Sequence, residues 1–278
     1  MTIELKPFFQ PIINVNNGLI AYNEVLARKE TANGHFISAG AIFSSPILST
    51  DKIISLDNQV RYKAFKKYNS YTGDAQLTIN ISPDWFTRHA RYLKLKAHEI
   101  PTLSMLRDCG LDPSRIVIEL TEYAGNKELI QHFVRSYRKM GMKIAIDDFG
   151  TGFSQIERLM EIEPDIIKLD MNLFQRSLVS SYAMDFIEVI ASFARKRGIE
   201  LIFEGIETAE QYNIAVSAGA DFVQGYLFSQ AQPEFYKDDH FVNDINILNY
   251  SNCTFPKAKL EARNHAGSTN NSIPSFIN

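Results

Sequence analysis

Asp147 and Asp148 stand side by side where the apolar run KIAIDDF (143–149) ends, just before the Gly-Thr-Gly turn of FGTGFS (149–154). Ionised carboxylates at the tip of a buried strand are costly unless positive charge meets them. Other apolar runs also end on polar residues: QLTINIS (76–82) brings Asn80, RIVIELTE (115–122) Glu119, DIIKLD (165–170) Lys168 and ELIFEGI (200–206) Glu204. Glu119, Asp147, Asp148 and Glu204, with the amide oxygen of Asn80, are hard oxygen donors. The six histidines fall outside this set and form no HxH or HExxH pattern. Oxygen-only ligands favour Mg²⁺ or Mn²⁺ over zinc or copper. Adjacent aspartates suit two ions with one carboxylate bridging them, and two metals about 3.5–4 Å apart serve in-line displacement at phosphorus. Lys168 would hold the nucleophilic water or neutralise developing charge. FGTGFS lacks the third glycine of GxGxxG and the lysine of a P-loop, so neither nucleotide fingerprint applies. Its glycines suit instead a mobile loop that approaches a site closely.

The elements that must position these residues follow from periodicity. FFQPIINV and LIAYNEVLA flank an Asn-Asn-Gly turn and read as an antiparallel hairpin. Residues 30–50 read as irregular, and DKIISLDNQVRYKAFKKY (51–68) as a helix. Six strand-like runs follow, the last being FVQGYLF (222–228). Amphipathic stretches near 91–109, 126–141, 154–162, 177–197 and 208–218 lie among them. Alternating strands and helices mean a parallel sheet. Six strands plus the hairpin suffice for a (β/α)8 barrel, with an open doubly wound sheet as the rival. Strand parity supports the barrel: Val117, Glu119 and Thr121 share one face, as do Ala145 with Asp147, Ile166 with Lys168 and Asp170, Thr78 with Asn80, and Ile202 with Glu204. Each opposite face is apolar and suits outer helices. The first face turns polar towards the strand's C-terminal end, where barrel active sites sit. For any one of these residues a helix N-cap or a simple salt bridge is the plainer explanation. Five strands repeating the pattern argue against it, because unpaired buried charges cost several kcal/mol each.

Composition sets the outer limits. The 278 residues carry a formal net charge of −3, so no polyanion-binding surface is indicated and nucleic acid is not an expected partner. The two cysteines, Cys109 and Cys253, have no metal-type spacing and fit a reducing compartment. The N-terminal MTIELKPFFQPI lacks the features of a signal peptide, and no run reaches the length of a membrane span. A cytoplasmic location is expected. Residues 1–240 read as the folded barrel domain. The Asn-, Ser- and Lys-rich stretch 241–278 reads as a C-terminal arm or tail, disordered from about residue 262.

Taken in order, the motifs resemble those of EAL domains, bacterial phosphodiesterases of the second messenger cyclic di-GMP. FQPI (9–12), EVLAR (24–28), INIS (79–82), ELTE (119–122), DDFGTGFS (147–154), IKLD (167–170), EGIE (204–207) and QGY (224–226) carry the likeness over residues 5–235. The resemblance implies a modified TIM barrel whose first strand runs antiparallel. It implies a first metal ion on Glu24, Asn80, Glu119 and Asp147, and a second on Asp147 and Asp148, the ions being Mg²⁺ or Mn²⁺. Glu204 would act as general base on the attacking water, or hold it, and Lys168 would position that water. Glu122 would anchor the DFGTG loop. Arg28 would clamp a substrate phosphate, Gln10 would line the nucleotide site, and Glu207, Gln224 and Asp170 would support the constellation. A homodimer is implied through the region after the DFGTG loop, and the helix near 178–198 has an apolar face that could add to it. Val25 replaces the motif alanine, Lys29 stands where the family usually has Trp, and the His-Pro segment that follows is missing. Two activities compete: hydrolysis of cyclic di-GMP to linear pGpG, and a silent receptor or protein-binding regulator of the same fold. Every ligand and base position carries the expected residue, which favours hydrolysis.

Overall fold

The chain first folds back on itself: β1 (Leu5–Asn14) and β2 (Ile20–Glu30) pair antiparallel from Leu5↔Lys29 to Ile13↔Ile20. Their turn is built from side chains that mimic backbone. Asn14 Oδ1 accepts the Asn16 N–H at 2.8 Å, and Asn17 Oδ1 accepts that of Leu19 at 2.9 Å. Gly18 takes the left-handed conformation (φ +70°) that the turn requires. The structure, a computed structural model, describes residues 3–81, 100–120, 127–150 and 155–236.

From β2 onward the strands run parallel: β4 (Gln76–Ile81), β5 (Ile116–Leu120), β6 (Lys143–Phe149), β7 (Ile166–Leu169), β8 (Glu200–Phe203) and β9 (Phe222–Val223). β1 pairs antiparallel with both β2 and β9, which closes the sheet into a barrel. This is the expected modified (β/α)8 barrel. β3 (Phe36–Ser38) adds a further strand on the outer edge of β2, followed by the short helix α1 (Gly40–Phe43). Both lie in the stretch that reads as irregular in the sequence. Three residues are too few to show a period.

The outer helices are α2 (Thr50–Tyr68), α3 (Pro101–Asp108), α4 (Lys127–Lys139), α5 (Gln155–Ile162), α6 (Met171–Ser177), α7 (Ser181–Arg197) and α8 (Ala209–Ala218). Their ends follow from capping. Ser49 accepts from Lys52 at the start of α2, and Thr208 and Gln211 form a reciprocal capping box on α8. Left-handed Gly198 and Gly219 end α7 and α8. The helix expected over 177–197 is α7, which starts at Ser181 because the Ser180 side chain accepts the Ala183 N–H; the short α6 before it, ending at Ser177, is additional to the expected elements. Among the described residues, no helix is long and apolar enough to cross a membrane.

Strand parity holds. Ile12, Tyr22, Val117, Ala145, Ile166, Ile202 and Phe222 form one buried cluster in the barrel interior. Ile118, Leu120, Ile144, Ile146, Ile167, Leu169, Leu201 and Phe203, on the opposite faces, are also buried. Each large aliphatic side chain buried this way is worth about 1.5–3 kcal/mol. The polar residues thus rest on a buried apolar floor.

Candidate active site

One step above that floor, the inward positions become polar. Lys168 of β7, only 1% exposed, is the hub. Its Nζ lies 2.8 Å from Glu204 Oε1, 3.0 Å from Asp147 Oδ1, 3.1 Å from Glu119 Oε2 and 3.3 Å from Glu24 Oε2. Those acids come from β2, β5, β6 and the residue just after β8, so four separate segments converge on one ammonium. The register explains the convergence: Asn80 sits opposite Glu119, and Glu24 opposite both Thr78 and Gln10. Glu24 is oriented twice, by Asn80 Nδ2 at 3.3 Å on Oε1 and by Gln224 Nε2 at 2.7 Å on Oε2. Gln224 is held by a close backbone approach, since Ile206 N–H donates to its carbonyl at 3.0 Å. A Cβ on the neighbouring Gly225 would lie 2.0 Å from Ile206 O, so only glycine fits there.

The adjacent aspartates pose a geometric problem, because successive side chains of a regular strand point to opposite faces. A bulge solves it. Pairing between β6 and β7 breaks between Ile146 and Phe149, and Asp148 adopts a left-handed φ of +52°. Oxygens of Asp147, Asp148 and Glu204 then lie within 4.8 Å of one another. A non-glycine residue in this conformation costs about 1–2 kcal/mol, which the surrounding structure must hold in place.

Electrostatically the site is short of positive charge. Burial pushes Glu119 well above the usual carboxylate range against the pull of Lys168, with Glu24 and Asp147 adding repulsion. Burial raises Glu204 to about 8 and Asp148 to about 6, the latter helped by its neighbour Asp147. For Lys168 burial works against the charge, yet Asp147, Glu119, Glu204 and Glu24 together hold its pKa well above the ordinary lysine value. Several oxygens also lack partners. Asn80 Oδ1, Glu119 Oε1 and Gln224 Oε1 are buried without a hydrogen bond, and Asp147 Oδ1 meets Lys168 out of hydrogen-bonding alignment. Orphaned hard donors beside excess negative charge are what a divalent cation would satisfy, so the residues fit the expected metal.

The remaining expected residues divide between two cavities. A 440 Å³ cavity over the acids is lined by Gln10, Glu24, Asp147, Asp148, Lys168, Asp170, Glu204, Glu207 and Gln224. Gln10 donates through Nε2 to Ser229 O at 3.1 Å. Glu207 is exposed at the rim. Asp170 also N-caps α6, accepting from Asn172 and Leu173 at 2.8 and 3.3 Å. Arg28 is set apart: it is half-buried and lines a neighbouring 600 Å³ cavity that shares Asp148 with the first. Glu122 and loop residues 151–154 lie outside the described residues. Sequence reasoning missed Met171 and Tyr226 on the first cavity, and Asp57 and Arg61 on the second. Tyr226 follows directly on Gln224 and Gly225 and could have been drawn in with them. Asp57 and Arg61 sit in a helix that looks like any amphipathic helix.

A closed β/α barrel with an antiparallel first strand and an acidic, lysine-centred C-terminal mouth defines the class. The EAL domain profile matches residues 2–231, and the chain belongs to that family. Among similar proteins, the uncharacterized EAL-domain containing protein YkuI of Bacillus subtilis is 27% identical over 93% of this chain and 62% of its own length. The crystal structure of YkuI in complex with cyclic di-GMP and calcium superimposes with a TM-score of 0.73, at 25% identity over 85% of this chain and 57% of that one. The cyclic di-GMP phosphodiesterase PdeL of Escherichia coli is 28% identical over 83% of this chain and 63% of its own. The BlrP1 calcium and cyclic di-GMP complex of Klebsiella pneumoniae gives a TM-score of 0.67 at 27% identity, covering 82% of this chain and 56% of that one. The chain spans less than two-thirds of the length of the curated relatives it matches.

Proposed function

We propose that this chain is a divalent-metal-dependent phosphodiesterase that opens cyclic di-GMP to linear pGpG. The observation that carries the reading is the mouth itself: one buried ammonium facing Glu24, Glu119, Asp147 and Glu204, beside oxygens with no partner. PdeL, named as a cyclic di-GMP phosphodiesterase, and YkuI, crystallised with this dinucleotide and calcium, support it by similarity. Glu24, Asn80, Glu119 and Asp147 would hold one Mg²⁺ or Mn²⁺ ion, and Asp147 with Asp148 a second. Such ions supply positive charge that draws a phosphodiester into an otherwise anionic cavity and offsets charge developing on its oxygens.

The chain's own groups do the rest. Glu204, held 2.8 Å from Lys168, accepts the proton of the attacking water, and Lys168 keeps that carboxylate and the water in place. Gln224 and Asn80 fix both oxygens of Glu24. Arg28, beside the cavity but outside the acid cluster, clamps the phosphate that is not cleaved. A homodimer fits the exposed stripe of Tyr182, Phe186, Val189 and Phe193 on α7, spaced as one helix face. The test is direct. Purified chain with Mg²⁺ or Mn²⁺ converts cyclic di-GMP to pGpG, and Glu204→Ala stops turnover while binding persists. Binding by the wild type without product would support the receptor reading instead.

A further inference from the structure

The 600 Å³ cavity contains a buried guanidinium that the proposed reaction does not use. Arg61 of α2 is 2% exposed and forms an ion pair with Asp57, one turn earlier. Its Nη1 donates to Thr102 Oγ1 of α3 at 3.2 Å and to Asn58 Oδ1 at 3.3 Å. Its Nη2 reaches the main-chain carbonyl of Asn80 at 3.5 Å. Its Nε is buried without a partner, but the two Nη groups of the planar fork serve acceptors on three elements at once.

What lies at the end of that fork is the point. Pairing of β2 with β4 stops at Val25↔Ile79, whereas pairing of β4 with β5 continues through Asn80↔Glu119 and Ile81↔Leu120. Asn80 is therefore laddered on its β5 side alone. On the other side β2 has departed, and the cavity lined by Val25–Arg28 and Ile79–Ile81 begins. Arg61 supplies a donor there. The side chain of the same Asn80 donates to Glu24 at 3.3 Å, and its Oδ1 is buried without a partner. We infer that Arg61 is a positioning residue: by holding the end of β4 from the α2 side, it aims the Asn80 amide into the cation site. It touches no reacting atom and acts through Asn80. The inference rests on the metal-binding reading of the mouth.

A role confined to stapling α2 to α3 would affect stability alone. The discriminating readout is Mn²⁺ binding to the purified chain, followed by electron paramagnetic resonance, with the melting temperature measured alongside. Arg61→Lys keeps a positive charge beside Asp57, but a single ammonium cannot span the same acceptors. The Mn²⁺ affinity is expected to fall about 10-fold, the loss usual when the partner of a metal ligand is removed. Thr102→Val, which leaves the Arg61–Asp57 pair intact, is expected to weaken Mn²⁺ in the same direction by a smaller factor, and it decides the matter if Arg61→Lys does not fold. A lowered melting temperature with unchanged Mn²⁺ affinity would overturn this inference alone. A wild type that binds no Mn²⁺ would overturn it together with the proposed function.

Discussion

The barrel holds a lysine near each of its ends, and the two live in different company. At the N-terminal end, Lys143 Nζ lies 2.9 and 3.1 Å from the two oxygens of Glu200 and 3.1 Å from Tyr22 OH, while Tyr22 itself donates to Glu200. One cation meets one carboxylate and a phenol, and the group closes the bottom of the barrel. Burial, then the bond to Glu200, holds the Tyr22 hydroxyl in its protonated form. At the C-terminal end, Lys168 faces four carboxylates, and a fifth, Asp148, stands close by. The lower cluster is complete in itself. The upper one is complete only with more positive charge, and that imbalance marks which end does chemistry.

The comparison breaks most sharply on activity. Glu204→Gln or Lys168→Met should lower hydrolysis of cyclic di-GMP by about 10²–10⁴-fold, the range for removing a positioned proton-transfer group. Lys143→Met at the other end should leave turnover within about twofold of wild type, because that pair carries no excess charge. Equal losses at both ends would strip the contrast of functional meaning.

A second difference concerns stability. Mn²⁺ at about 100 times its dissociation constant should raise wild-type stability by about 2.7 kcal/mol, read as a shift in a thermal melt. Asp147→Asn should abolish the shift, since it removes the carboxylate shared by both proposed ion sites. Lys143→Met should keep the shift in full. Gly225→Ala gives the next effect in size. Its Cβ collides with the Ile206 backbone, not a flexible side chain, so about 1–3 kcal/mol of stability should be lost, with Gln224 displaced from Glu24. Denaturant unfolding checks the first part, and a matching loss of Mn²⁺ affinity the second. Lys143→Met itself should cost least, about 1 kcal/mol, because both partners are about a third exposed and water screens them.

Much of the upper site was legible in the sequence because a strand has a strict period of two. That period assigns Glu119, Asp147, Lys168 and Glu204 to one interior, and the apolar residues beneath them form the observed floor. Departures from the period were not legible. The bulge that turns Asp148 beside Asp147 is a single left-handed residue with no pattern of its own. The short helix α6 was not legible either, since its seven residues make barely two turns. Arg61 reads as a surface position of an amphipathic helix, and only the end of pairing between β2 and β4 brings it against Asn80. Asp170 shows the opposite case: the commonplace N-cap role of an aspartate after a strand is there, on a residue that also lines the cavity.

The most direct test is an anomalous diffraction map from crystals grown with Mn²⁺. The proposed metal site requires manganese peaks among Glu24, Asn80, Glu119, Asp147 and Asp148. A map with no peak at the barrel mouth, or with manganese held elsewhere on the chain, would contradict it.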